Sequence, residues 1–213
     1  MVKVFLLGRP GSGKTTAFHY IETCAHEKDI RSTRFREYEI LRGMFLAGRS
    51  EFRKAKHGGF DILDFSVVNE SAYLLEKKIQ SYARFEAQEN ELLFIELVRD
   101  SYEQAMHCFS SAFLQDSYFL FIEADLETCI QRIHYRVAHP AGTDGHFVSD
   151  HILRNYYAYD NKDYMATRFR TDYNIQKMVE VIENTGSPDE FRKKLKPFTD
   201  VLLPEKVASV PSL

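Results

Sequence analysis

The chain has 213 residues, 44% of them hydrophobic, which suits one globular domain with a large core. A net charge of -3 and a pI near 6.2 weigh against a nucleic-acid partner, because a broad duplex-binding surface needs a basic excess. The three cysteines (Cys24, Cys108, Cys129) are far apart, without a CxxC pair, and no apolar run reaches membrane-spanning length. These features argue against a disulfide framework, a zinc site and a membrane span.

In chain order, Val2–Leu7 is β-rich and apolar on both faces, as in a buried parallel strand. A glycine-rich turn follows over 8–13. Residues 14–28 then form a helix with Ala17, Phe18, Ile21 and Ala25 on one stripe. The pattern next predicts a strand over 32–38, a helix over 39–47, a loop over 48–60 and a long helix over 67–87. Residues 60–63 show no clear preference. Residues 92–96 are the clearest internal strand, followed by a helix over 101–114, a strand over 118–122 and a helix over 126–137. Pro140, Gly142 and Gly145 break the chain after that. A helix is expected over 150–159, while 160–173 has no assignment. A last strand over 178–183 leads to a helix that Ser187 caps and Pro188 begins.

Strands alternating with helices imply right-handed crossovers and a parallel sheet covered on both faces, with ligands at the carboxyl ends of the strands. One α/β domain spanning 1–213 is expected, with a lid near 137–149 and a loose tail near 204–213. The first strand starts at Val2, which leaves no room for a signal peptide. A cytoplasmic protein with reduced thiols, monomer or homodimer, is the expectation.

Gly8-Arg9-Pro10-Gly11-Ser12-Gly13-Lys14-Thr15 matches G-x-x-x-x-G-K-[ST]. The glycines let the backbone curl with its N–H groups inward. The turn delivers the chain to a helix N-terminus, where free N–H groups favour an anion. Lys14 adds charge for the β- and γ-phosphates of ATP or GTP, and Thr15 offers a hydroxyl to Mg²⁺. Gly8, Pro10, Gly11, Ser12, Gly13, Lys14, Thr15 and Thr16 are the candidate nucleotide contacts.

The chain here resembles the P-loop kinases that include the adenylate, thymidylate, deoxynucleoside and dephospho-coenzyme A kinases. The resemblance implies a three-layer sandwich with strand order 2-3-1-4-5. Glu96 and Arg99 match the acid and arginine that follow the third strand of deoxynucleoside kinases. Glu96 would hold Mg²⁺ or accept a proton from the attacking hydroxyl. Arg132 and Arg136, four residues apart on one helix face, are similar to the flap arginines that neutralise the transferring phosphoryl group. Asn184, Thr185 and Gly186 take the place of the turn that touches adenine. His139, Asp144 and His146 stand where a lid would contact phosphate or substrate, with no trusted metal-ligand spacing.

On the acceptor side, Arg36, Tyr38 and Arg42 follow the second strand, where similar kinases hold the phosphoryl acceptor. The Asp-Gly-Phe-Pro-Arg signature of adenylate kinase is missing, so that activity is not expected. Tyr156, Tyr157 and Tyr159, with Arg154, are expected to pack rather than stack on a base. The resulting expectation is ATP-dependent phosphorylation of a nucleotide, nucleoside or similar small molecule. Two rivals are a nucleoside-triphosphatase switch, for which no N-K-x-D motif is present, and a polynucleotide-end kinase.

Overall fold

A computed structural model describes residues 1–55, 59–139 and 147–204. Its strands are β1 (Val2–Leu7), β2 (Arg31–Arg36), β3 (Phe52–Lys54), β4 (Phe60–Ile62), β5 (Glu91–Glu96), β6 (Ser117–Glu123) and β7 (Val179–Glu183). Its helices are α1 (Lys14–His26), α2 (Glu37–Leu46), α3 (Ser66–Phe85), α4 (Tyr102–Ala105), α5 (Ser111–Gln115), α6 (Leu126–Ala138), α7 (Asp150–Asn155), α8 (Lys162–Thr167), α9 (Phe169–Asp172) and α10 (Pro188–Leu202).

Five strands pair in parallel in the order β2-β5-β1-β6-β7. Counting only the strands of this sheet, that is the expected 2-3-1-4-5. Side chains alternate across the central strands and feed two cores. Val4, Leu6, Phe94 and Ile122 pack with α1 and α10 on one face, through Phe18, Ile21, Phe191 and Leu195. Phe5, Leu7, Ile95 and Phe121 pack on the other face with Leu75 and Ile79 of α3, Tyr102 of α4 and Phe169 of α9. A strand that feeds both faces has little place for polar residues, which is why β1 is apolar throughout its buried part, Val4 to Leu7, with Lys3 at its half-buried start.

Two smaller clusters extend beyond the carboxyl ends of the strands. Leu41, Met44, Phe52, Val67 and Val68 join α2, the β3–β4 hairpin and α3. Ile130, Ile133 and Leu153 join α6 to α7, with Phe147 and Tyr157 against them.

The structure corrects several expectations. Residues 52–62 contain an antiparallel hairpin rather than a plain loop, with Phe52 opposite Ile62 and Arg53 opposite Asp61. Three-residue strands are too short to display a period. The helix expected over 101–114 is broken by a 3-10 turn at Met106–Cys108. There the Glu76 carboxylate draws the chain aside, accepting from the Ser110 N–H at 2.7 Å and also from its hydroxyl. The helix expected over 150–159 ends at Asn155. Beyond it the carbonyls of Tyr157, Ala158 and Tyr159 accept from the Arg9 side chain instead. Residues 160–173 contain the short helices α8 and α9. All three cysteines are free, Cys108 lying in the 3-10 turn rather than an α-helix.

The last helix begins as its sequence requires. Ser187 Oγ accepts from the Glu190 N–H, Glu190 Oε2 accepts from the Ser187 N–H, and Pro188 occupies the first turn. Among the described residues no helix is long and apolar enough to cross a membrane. Residues 140–146 of the expected lid, including Asp144 and His146, and residues 205–213 of the expected tail lie outside the described residues.

Candidate active site

The turn from β1 to α1 has a shape that only glycine satisfies. Gly13 sits at φ 118°, and a Cβ there would lie 2.3 Å from Asn184 Nδ2. That amide is fixed, because Nδ2 donates to the Ser12 carbonyl at 2.7 Å while the Asn184 N–H donates to Glu123 O at 2.7 Å. Gly8, at φ 129°, would place a Cβ 2.3 Å from the Ile122 carbonyl of β6. The loop thus passes between β6 and the turn after β7 with no room for a side chain at Gly8 or Gly13.

Lys14 is buried, and its Nζ donates to Gly8 O at 2.9 Å and Arg9 O at 2.8 Å. Burial holds its pKa below the usual lysine value, against the opposing pull of Glu96, whose Oε1 lies 3.9 Å away. Ser12 Oγ is fully buried with no hydrogen-bond partner among the described residues.

One cavity of about 850 Å³ opens above this loop. Its first half is floored by Pro10, Gly11, Gly13, Lys14, Thr15 and Thr16. Arg132 and Arg136 of α6 form one wall, with Asn184, Gly186, Pro188 and Phe191 beyond them. Arg132 is pinned by backbone carbonyls, donating to Ser12 O at 3.3 Å and Asn184 O at 3.0 Å. Gly8, Ser12 and Thr185 do not line this cavity. The Gly8 N–H donates to Tyr102 Oη at 2.8 Å, and Thr185 faces a smaller recess beside Arg9, Glu123 and Lys162.

The second half is apolar and aromatic. Tyr38 stacks on Phe60 at 5.5 Å between centroids, and Phe65 on Tyr156 at 4.3 Å. Leu41, Ile62, Val68 and Val98 fill the space between, and Arg36 lies at the edge, its Nη2 donating to Glu39 at 2.7 Å. Burial raises the pKa of both Tyr156 and Tyr157, so each stays a neutral phenol through the physiological range. Tyr156 and Tyr157 therefore line the cavity, whereas Tyr159 and Arg42 are exposed and do not. His139 stands at the far rim against Tyr135.

Arg99 lies against this half, buried in a bidentate pair with Glu37 and also donating to Val68 O at 2.7 Å. Its burial alone would weaken the charge, but Glu37 outweighs that and raises its pKa. Ser71 Oγ donates to the same carboxylate at 2.6 Å.

The oxygens expected to meet Mg²⁺ converge. Arg34 Nη2 donates to Thr15 Oγ1 at 2.9 Å and to Glu96 Oε2 at 2.6 Å, so both oxygens already serve one cation. A hydroxyl and a carboxylate suit a hard divalent ion, which needs few protein ligands when it comes with phosphate oxygens. Among the described residues no cluster of three or more His, Cys, Asp or Glu side chains is arranged around a common point.

Sequence reasoning missed the side-chain roles of Arg9 and Arg34, and the pairing of Glu37 with Arg99. Arg9 reads as a variable position inside the loop motif, and Arg34 as a charge that weakens a strand. Glu37 opens α2 directly after β2, within the stretch read as the acceptor side, and that position past a strand's carboxyl end was the available signal.

No protein-family model matches the chain, and no curated protein sequence matches it. Solved structures do match. APS kinase CysC of Mycobacterium tuberculosis, solved with AMPPNP and APS, superposes with a TM-score of 0.54 at 18% identity. That match covers 94% of this chain and 96% of the other. The fold is that of the P-loop kinases. Kti12 of Chaetomium thermophilum, solved with ADP-AlF3, matches with a TM-score of 0.54 at 15% identity over 93% of this chain and 97% of the other. A gluconokinase of Sinorhizobium meliloti 1021 matches with a TM-score of 0.50 at 12% identity over 94% and 93%. These P-loop kinase-fold proteins share the scaffold with this chain at identities that carry no acceptor assignment.

Proposed function

We propose that this chain transfers the γ-phosphate of ATP, or GTP, to a nucleoside, nucleotide or similar small acceptor. One observation carries the reading. A single cavity runs from a glycine cradle with a buried lysine to a chamber walled by aromatic rings, so donor and acceptor would meet in one enclosed space. A switch protein has no need of that second chamber.

The chain's own residues would divide the work. Backbone N–H groups of residues 11–15 and the Lys14 side chain would hold the phosphates, the glycines allowing close approach. Thr15 and Glu96 would hold Mg²⁺, which when bound neutralises phosphate charge. Arg132 and Arg136 would steady the transferring group from α6. Asn184 and Gly186, with Pro188 and Phe191 beside them, would meet the base. Tyr38, Phe60, Phe65 and Tyr156 would hold the acceptor, with Arg36 at its edge. Glu96 and Glu37, the latter locked by Arg99, are the carboxylates near the attacking hydroxyl. Of these, Glu96 is the one placed beside the phosphate cradle.

The test is a screen of ATP- and GTP-dependent phosphate transfer over nucleosides, nucleotides and small alcohols, with Lys14→Ala as the control. Transfer to one of these acceptors, lost in the variant, is the expected result. Hydrolysis indifferent to every acceptor would favour a nucleoside-triphosphatase switch. Transfer onto an oligonucleotide end would favour a polynucleotide kinase.

A further inference from the structure

Arg34 leaves the middle of β2, opposite Phe94 of β5, while its neighbour Phe35 points into the other core. Its position is therefore set by the sheet. Its guanidinium lies 4.7 Å from the Phe18 ring of α1, and the side chain is 10% exposed. One nitrogen, Nη2, donates at once to Thr15 Oγ1 and Glu96 Oε2. Lys14 Nζ stands 3.9 Å from the other Glu96 oxygen. A largely buried cation thus bridges the two oxygens that the nucleotide reading gives to magnesium.

A guanidinium and a divalent ion at those two oxygens oppose each other. Both are cations, and at such separation in a poorly hydrated site their repulsion is weakly screened. A carboxylate oxygen that accepts a short charged hydrogen bond is also a poorer metal ligand. We infer that Arg34 and the magnesium ion of a bound nucleotide compete for Thr15 and Glu96, so that Arg34 sets how strongly nucleotide binding depends on magnesium. Arg34 is on this view a positioning residue that keeps the two oxygens together and releases them to the metal. The inference rests on the nucleotide reading above.

The experiment measures binding of N-methylanthraniloyl-ADP to the full chain, across a magnesium titration and in EDTA. For Arg34→Gln the magnesium concentration giving half-maximal binding should fall about fivefold or more, the lower end of ordinary coupling between sites. Affinity in EDTA should fall, because a positive charge near the phosphates is gone. Arg34→Lys should keep the wild-type magnesium midpoint. A residue with a merely structural role would weaken binding in both conditions and leave the midpoint alone, and that result overturns the inference.

The wild type supplies a second readout that does not depend on a variant folding. The side-chain NMR signal of Arg34, assigned in the wild type through its own backbone resonances, should move when magnesium is added to the ADP complex. An unmoved signal overturns the inference. Wild-type protein that binds no nucleotide under any condition would instead overturn the nucleotide reading and the inference with it.

Discussion

Arg9 Nη1 lies 2.6 Å from Glu123 Oε1, and the same guanidinium donates to the carbonyls of Tyr157 at 2.8 Å and Tyr159 at 3.0 Å. A residue inside the phosphate loop thus ties the end of β6 to the segment that follows α7. Burial pushes the Glu123 carboxyl above its usual pKa while Arg9 pulls it back. Arg9→Met should leave a buried carboxylate and several carbonyls without a donor, costing about 3–5 kcal/mol by urea unfolding. Arg9→Met combined with Glu123→Leu should recover much of that loss. A cost below about 1 kcal/mol, the scale of an exposed pair, would mean that the tie is superficial.

Lys14 predicts a stability trade with a definite sign. The unfolded lysine titrates near 10.5, and the folded one below that value because it is buried. Between the two values the unfolded chain binds the extra proton, so stability rises with pH across that alkaline window, and below it the penalty is constant. Lys14→Met should therefore melt higher than wild type near neutral pH, by roughly 2–4 °C per kcal/mol removed, with the gap closing towards pH 10.5. Phosphate transfer should vanish in the same variant. A melting temperature equal to or below wild type at neutral pH would contradict the burial argument.

Gly13→Ala should be far worse than its one methyl group suggests. The φ of 118° strains any L side chain, and the new Cβ meets Asn184 Nδ2. Expected are about 1–3 kcal/mol of destabilisation and loss of labelled-ADP binding. Gly13→Ala combined with Asn184→Ala removes the clash but not the strain. Binding should therefore stay weak in the double variant, as titration would show.

The aromatic half of the cavity offers a test that tells the proposed acceptor from the proposed donor. Tyr38→Ala removes one partner of the Phe60 stack without touching the phosphate loop. The acceptor KM should rise about tenfold, as loss of roughly 1.4 kcal/mol of contact implies, while ADP affinity stays unchanged. Equal weakening of both ligands would show that the two halves of the cavity are not separate.

How much was legible follows from how local each feature is. Gly8 to Thr15 announced the tight glycine turn and the start of α1 because torsional freedom and a helix start are encoded within a few residues. The capping pattern of Ser187, Pro188 and Glu190 was legible for the same reason. Arg132, Arg136, Tyr38 and Glu96 were placed beside the cavity because they follow strands or share a helix face. Arg42, expected with Arg36 and Tyr38 on the acceptor side, falls on the exposed side of α2, next to the buried Leu41. The β3–β4 hairpin has strands too short to show a period, and the break before Ser110 depends on Glu76, a partner distant in sequence.

By itself the sequence determined the apolar strands, their alternation with helices and the curl of the phosphate loop, because these depend on torsions and periods within one segment. Only the tertiary structure decided that Arg34 meets Thr15 and Glu96, that Arg9 holds Glu123 and the chain beyond α7, and that Glu37 faces Arg99. Those meetings follow from strand order and register, which bring together residues up to 150 positions apart, as Arg9 and Tyr159 are. A long-range ion pair has no signature in either of its two short stretches of sequence.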